Sequence, residues 1–162
     1  TFQVTYAGTE GTRLVVSQAP PDRRVDVVAA GTVLESRVLR DGTAYRCELG
    51  EGADPQLECD RAAGAIDAPG AFTVEALDAF TAQLAASLDG LELSVEERTI
   101  AGADATCLVT QPKTGTTIDL DGPGPETLCV SPEGAQLLVD AGGERLVAES
   151  YTTEVPEGTF DV

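Results

Sequence analysis

The stretch Leu34-Glu35-Ser36-Arg37-Val38-Leu39-Arg40-Asp41-Gly42-Thr43-Ala44-Tyr45-Arg46-Cys47-Glu48-Leu49 decides the fold class. Leu34, Ser36 and Val38 share one face of an extended chain, Tyr45, Cys47 and Leu49 share one face of another, and charged residues fill many of the alternate positions. Between the two runs stands Asp41-Gly42, a dipeptide suited to left-handed backbone at both positions, which marks a tight antiparallel hairpin. The same pattern recurs upstream. Phe2, Val4 and Tyr6 alternate with Thr1, Gln3 and Thr5, and Gly8 to Gly11 turns the chain into a strand over 12–18. Pro20-Pro21-Asp22 ends that strand, since neither proline offers an N–H to a ladder, and Val25 and Val27 then alternate with Arg24 and Asp26. The first fifty residues therefore predict a meander of five strands.

Between Phe72 and Leu88 the period changes. Leu77, Phe80, Leu84 and Leu88 fall at three- and four-residue steps, which is the apolar stripe of a helix. Thr73 is the expected N-cap, Glu75 suits the positive end of the helix dipole, and Asp89-Gly90 is the expected stop. Strands resume at 91–100, 105–110, 116–120, 127–130, 136–140 and 145–155. The turns between them carry Ala101-Gly102, Gly122-Pro123-Gly124-Pro125, Ser131-Pro132-Glu133-Gly134 and Gly142-Gly143. The predicted fold is α+β: a long, strongly curved antiparallel β-sheet of about eleven strands, a half-open barrel packed around one main helix, in a single domain over residues 1–162. A sheet of that length curls, and its concave side is expected to be an apolar hollow lined by Phe2, Val4, Tyr6, Val25, Val27, Tyr45, Leu77, Phe80 and Leu84. A helix stripe of this kind is more often plain core than cavity lining, and the two readings are not exclusive.

Composition narrows the classes of partner. A chain of 162 residues is long enough for a self-sufficient core. Aromatics make up only 4% and Trp and Met are absent, so Val, Leu, Ile and Ala must fill the interior. Acidic residues outnumber basic ones by 28 to 10, and the net charge of -18 repels phosphate backbones and anionic membrane surfaces, which sets nucleic acid aside as a partner. No apolar run reaches the roughly 18 residues of a membrane span. The chain opens on Thr1-Phe2-Gln3-Val4 without a charged leader, so the expectation is an export leader removed ahead of this point, with any membrane anchor in a preceding segment. A monomer is expected.

Four cysteines, Cys47, Cys59, Cys107 and Cys129, allow three pairings. Sequential pairing, Cys47 with Cys59 and Cys107 with Cys129, closes local loops between neighbouring strands, and chain entropy assigns about 3 kcal/mol to each. There is no C-x-x-C spacing and no histidine, so a zinc set is disfavoured and an oxidising, extracytoplasmic compartment is expected.

The absence of histidine also removes the Ser-His-Asp and Cys-His arrangements. None of the serines sits in G-x-S-x-G, and Lys113 beside Pro112 reads as a loop residue. Carboxylates are numerous, yet most fall on strand faces expected to be wet, which argues against a pair placed for glycoside chemistry. Asp119-Leu120-Asp121-Gly122 resembles half of a calcium loop, but the later bidentate Glu is missing and Glu126 comes too early, so a turn is expected and no metal. No glycine-rich segment joins a strand to a helix, so no nucleotide or other cofactor is expected. The predicted protein is not an enzyme.

Several segments resemble the LolA-like family of exported lipoprotein-binding and lipid-binding domains, including relatives found as actinobacterial lipoproteins. They are Phe2-Gln3-Val4-Thr5-Tyr6, Gln18-Ala19-Pro20-Pro21-Asp22-Arg23-Arg24-Val25-Asp26 and Arg40-Asp41-Gly42-Thr43-Ala44-Tyr45. Later come Cys129-Val130-Ser131-Pro132-Glu133-Gly134 and Glu154-Val155-Pro156-Glu157-Gly158-Thr159-Phe160, which are similar to late hairpins and a closing strand. The resemblance implies a half-open barrel that takes acyl chains, with an arginine near the cavity mouth that corresponds to Arg24, or in second place to Arg23, and a lipid or lipidated protein as partner. For Arg24 the residues themselves also allow a plain strand position paired with an acidic neighbour. The alternative function is a protein-interaction or sensor module at the cell envelope whose core is filled by its own side chains.

Overall fold

The computed structural model describes residues 1–52, 55–63, 72–87, 90–114 and 126–162. Its elements are β1 (Phe2–Ala7), β2 (Thr12–Ala19), β3 (Asp22–Ala29), β4 (Thr32–Arg40), β5 (Thr43–Leu49), β6 (Leu57–Arg61), α1 (Val74–Ser87), β7 (Leu91–Ile100), β8 (Ala103–Pro112), β9 (Glu126–Val130), β10 (Gln136–Ala141) and β11 (Glu144–Thr152). The expected α+β class holds: among the described residues there are eleven strands, paired in antiparallel hairpins, and one helix. The strand expected at 116–120, the turn at 122–125, the half calcium loop at 119–122, and Leu88 and Asp89 lie outside the described residues.

The chain divides into two compact units, Thr1–Pro69 with Glu149–Val162, and Gly70–Ala148. In the first, consecutive hairpins give the order β6-β5-β4-β3-β2-β1. Asp41 and Gly42 take φ of 49° and 75°, the doubly left-handed turn whose twist matches the flanking strands. Ala30-Gly31 makes the same turn at 49° and 82°, although an Ala-Gly pair there gives a weaker signal than Asp-Gly. Phe2, Val4 and Tyr6 are buried and alternate with half-exposed Gln3 and Thr5, as their pattern requires.

Three local departures have physical causes. Leu34, expected to share the inner face with Ser36 and Val38, is 41% exposed while those two are sealed. The β3–β4 register steps from Val27↔Glu35 to Val28↔Val33, so Leu34 is the extra residue of a bulge and is turned out of the ladder. β6 has no alternating pattern, only Leu57 being half-buried among charged, exposed neighbours, and pairing with β5 is what makes it a strand. At the other end β11 stops at Thr152, and the segment expected to close the sheet folds into a turn instead. Pro156 has no N–H for a ladder and Gly158 takes φ of 76°; Thr159 N–H and Oγ1–H both donate to the Pro156 carbonyl, at 3.3 and 2.7 Å.

The second unit orders its strands β7-β8-β9-β10, with the first residues of β11 paired to β10. Thr73 caps α1 as expected, its hydroxyl accepting the Ala76 N–H at 3.2 Å. The helix packs through Leu77, which is fully buried with Leu108 of β8 and Val130 of β9, and Phe72, Val74, Leu84, Leu93 and Leu128 surround that cluster. Both disulfides form as expected, Cys47–Cys59 across β5 and β6 and Cys107–Cys129 across β8 and β9. Each joins residues directly opposite in register, with Cα atoms 4.0 Å apart.

Candidate functional site

Alternation decides what α1 covers. On β8 and β9, Leu108 and Leu128 are a direct cross-strand pair; Val95 of β7 lies opposite Leu108, and Val139 of β10 lies opposite Leu128. Leu108, Leu128 and Val139 of this aliphatic row lie beside the second half of the helix with Phe80 and Leu84, whereas Val95 is 52% exposed. There the fit is incomplete. Leu77 seals the deep end, but Phe80 is 40% exposed and Leu84 half-buried, and a hollow of about 320 Å³ opens beside them. Its walls are Phe80, Leu84, Leu91, Leu108, Leu128 and Val139, with Thr110, Glu126, Thr127 and Asp140 among the polar residues at its border. Phe72 meets Phe80 edge-on, with ring centroids 6.0 Å apart, which holds the Phe80 ring at this position.

The helix stripe therefore divides: Leu77 is core, whereas Phe80 and Leu84 line an open groove. The sequence reading missed Leu91, Leu108, Leu128, Val139 and Glu126. Each sits in a recognisable strand, but only the register of four strands brings them under one helix.

The remaining expected lining residues belong to the first unit and do not share one face. Val4, Val16 and Val25 form one cross-strand row, flanked by Phe2, Tyr6 and half-buried Val27 on the same side. Ser17, Arg24, Val38 and Tyr45 form a row on the opposite side. Arg24 is committed there: its Nε donates to Asp26 at 2.7 Å and its Nη1 to the Thr159 carbonyl at 2.9 Å, with only 15% of the side chain exposed. Arg40 continues the grip through Asp161 at 2.9 Å, so the two arginines fasten the C-terminal turn over this side of β3 and β4. Tyr6 is fully buried, and burial pushes its phenol well above the ordinary range while the charge of Arg23 pulls it partly back. Burial lowers Arg23 in turn, and Tyr6 opposes that shift.

A second hollow, about 440 Å³, lies at the β5–β6 edge among Arg46, Glu48, Leu49, Gly50, Glu51, Glu58 and Asp60. Arg46 reaches Glu48 at 2.9 Å and Glu35 at 3.4 Å, and Arg37 reaches the same Glu35 at 3.1 Å. This is a solvated network of surface ion pairs, in which carboxylates are met by guanidinium groups. Among the described residues no cluster of three or more His, Cys, Asp or Glu is arranged to hold a metal ion, and no helix is long and apolar enough to cross a membrane. Comparison with protein-family models, with curated proteins and with solved structures finds no match for this chain.

Proposed function

We propose that this is an exported, non-enzymatic domain that holds an apolar ligand, a lipid or lipoprotein acyl chain, in the groove between α1 and β7–β10. The observation that carries the reading is the incomplete seal under the helix. Six large apolar side chains, with Ala141, surround a hollow of about 320 Å³ that none of them fills. That volume lies at the lower end of the roughly 300–1,000 Å³ of small-ligand sites and suits a single narrow chain. Two disulfides accord with an oxidising compartment, and the resemblance to LolA-like domains agrees with an acyl-chain ligand. A second reading, an envelope interaction or sensor module with a self-filled core, is favoured by the tight Leu77–Leu108–Val130 cluster.

The experiment is solvent extraction of the purified protein with mass spectrometry of the extract, together with titration of a neutral fluorescent monoacylglycerol. Stoichiometric lipid, or saturable binding that Phe80→Ser weakens, supports the carrier. An empty extract together with no saturation of the probe leaves the interaction module.

A further inference from the structure

The groove has a rim of one sign. Register places Leu93, Thr110 and Glu126 in the row next to Val95, Leu108 and Leu128, on the side that α1 covers. The floor is aliphatic, and the neighbouring rung brings a carboxylate to the border. Asp140 also borders the hollow, but it lies directly opposite Arg145, whose Nε is 3.7 Å from its carboxylate. Among the described residues no basic side chain pairs with Glu126. The one lysine, Lys113, lies just past the end of β8 and outside the lining of the hollow, its N–H donating to the Gly90 carbonyl at 2.7 Å. On the helix side, α1 has no basic residue in its last turn, so no side chain of the helix itself offsets the negative end of its dipole. The whole chain adds a field of net charge -18.

From this apolar floor and a rim whose charged residues are acidic we infer that the ligand is a single-chain amphiphile with a cationic, ammonium-type head, and that the groove discriminates against carboxylate and phosphate heads. The inference rests on the apolar-ligand reading and adds the chemistry of the head. The acyl chain supplies affinity by leaving water, and the head, emerging at the rim, meets Glu126 and the carbonyl end of the helix. Ammonium is attracted there, a neutral head is tolerated, and an anion is repelled by Glu126 and by the net charge of the chain.

The test uses three amphiphiles of equal chain length, each below its critical micelle concentration: dodecyltrimethylammonium, dodecyldimethylamine oxide near neutral pH, and dodecanoate. Each is titrated by calorimetry into the full chain, into Glu126→Gln and into Phe80→Ser. The expected order is cation, then neutral head, then anion, with roughly tenfold between the extremes at low ionic strength and about twofold or less in 1 M salt. Glu126→Gln should shrink the spread to about threefold, the helix end and the overall field remaining. Equal affinity for all three, or preference for dodecanoate, overturns the inference and leaves the groove reading intact. Saturation by none of the three overturns the groove reading itself. Cation binding that Phe80→Ser leaves unchanged assigns the amphiphile to the acidic surface and also overturns the inference.

Discussion

Serine substitutions along α1 separate core from groove, because Leu77 and Phe80 share one helix stripe but differ in what surrounds them. Leu77 is fully enclosed with Leu108 and Val130. Truncating an enclosed leucine to alanine costs about 3–5 kcal/mol, transfer and cavity terms together, and a hydroxyl left there without a partner adds about 1–3 kcal/mol. Leu77→Ser should therefore lose about 5 kcal/mol, which approaches the whole stability of many domains. Phe80 is already 40% exposed, so its removal widens an open groove instead of leaving a sealed void, and the new hydroxyl meets water. Its cost is the transfer of a part-buried ring plus the edge contact with Phe72, about 2 kcal/mol in all. The assay is urea unfolding by circular dichroism paired with titration of the neutral acyl probe. Leu77→Ala, at about 3 kcal/mol, stands in where Leu77→Ser does not fold. Phe80→Ser should keep most of the stability while losing the probe. Equal destabilisation by Phe80→Ser and Leu77→Ser, with no saturable binding by the parent chain, would refute the division of the stripe.

Other expectations follow from burial and charge. Cys59 is exposed on the edge strand β6, whereas Cys107 and Cys129 are both fully buried, so mild reductant should open Cys47–Cys59 first; alkylation timed by mass spectrometry reads the order. Loss of either bridge should cost about 3 kcal/mol on the chain-entropy account, measured on Cys-to-Ala double variants. Arg24→Ala should free the turn over 156–161 and leave Asp26 without its partner, at about 1–3 kcal/mol, and limited proteolysis should then cut within 153–161 faster than in the parent. Tyr6 carries a raised folded value, so its contribution to stability is complete below about pH 10, the unfolded value, and is lost as pH rises through the folded one. Of the three tyrosines, Tyr6 should ionise only as the protein unfolds in base, and absorbance at the phenolate band with and without Tyr6→Phe tests this.

Local pattern alone decided the helix and the described strands other than β6. A period of two places Phe2, Val4 and Tyr6 inside whatever they pack against, a period of near four makes α1, and Asp41-Gly42 admits little except a hairpin. Cysteines spaced across neighbouring strands were enough to choose the pairing, because a hairpin sets close partners opposite one another. What depends on one residue more or less in a ladder was not legible. The bulge that expels Leu34 shifts the register by a single position, and no composition signals it. β6 is a strand only because β5 offers it hydrogen bonds and Cys47 offers it a bond. The groove is a property of four strands in register under one helix: Leu108, Leu128 and Val139 are ordinary alternating residues until pairing sets them in a row and Leu84 fails to cover them. Sequence could name the apolar face of α1, but whether that face meets side chains or leaves a space is settled by volumes brought together from distant parts of the chain.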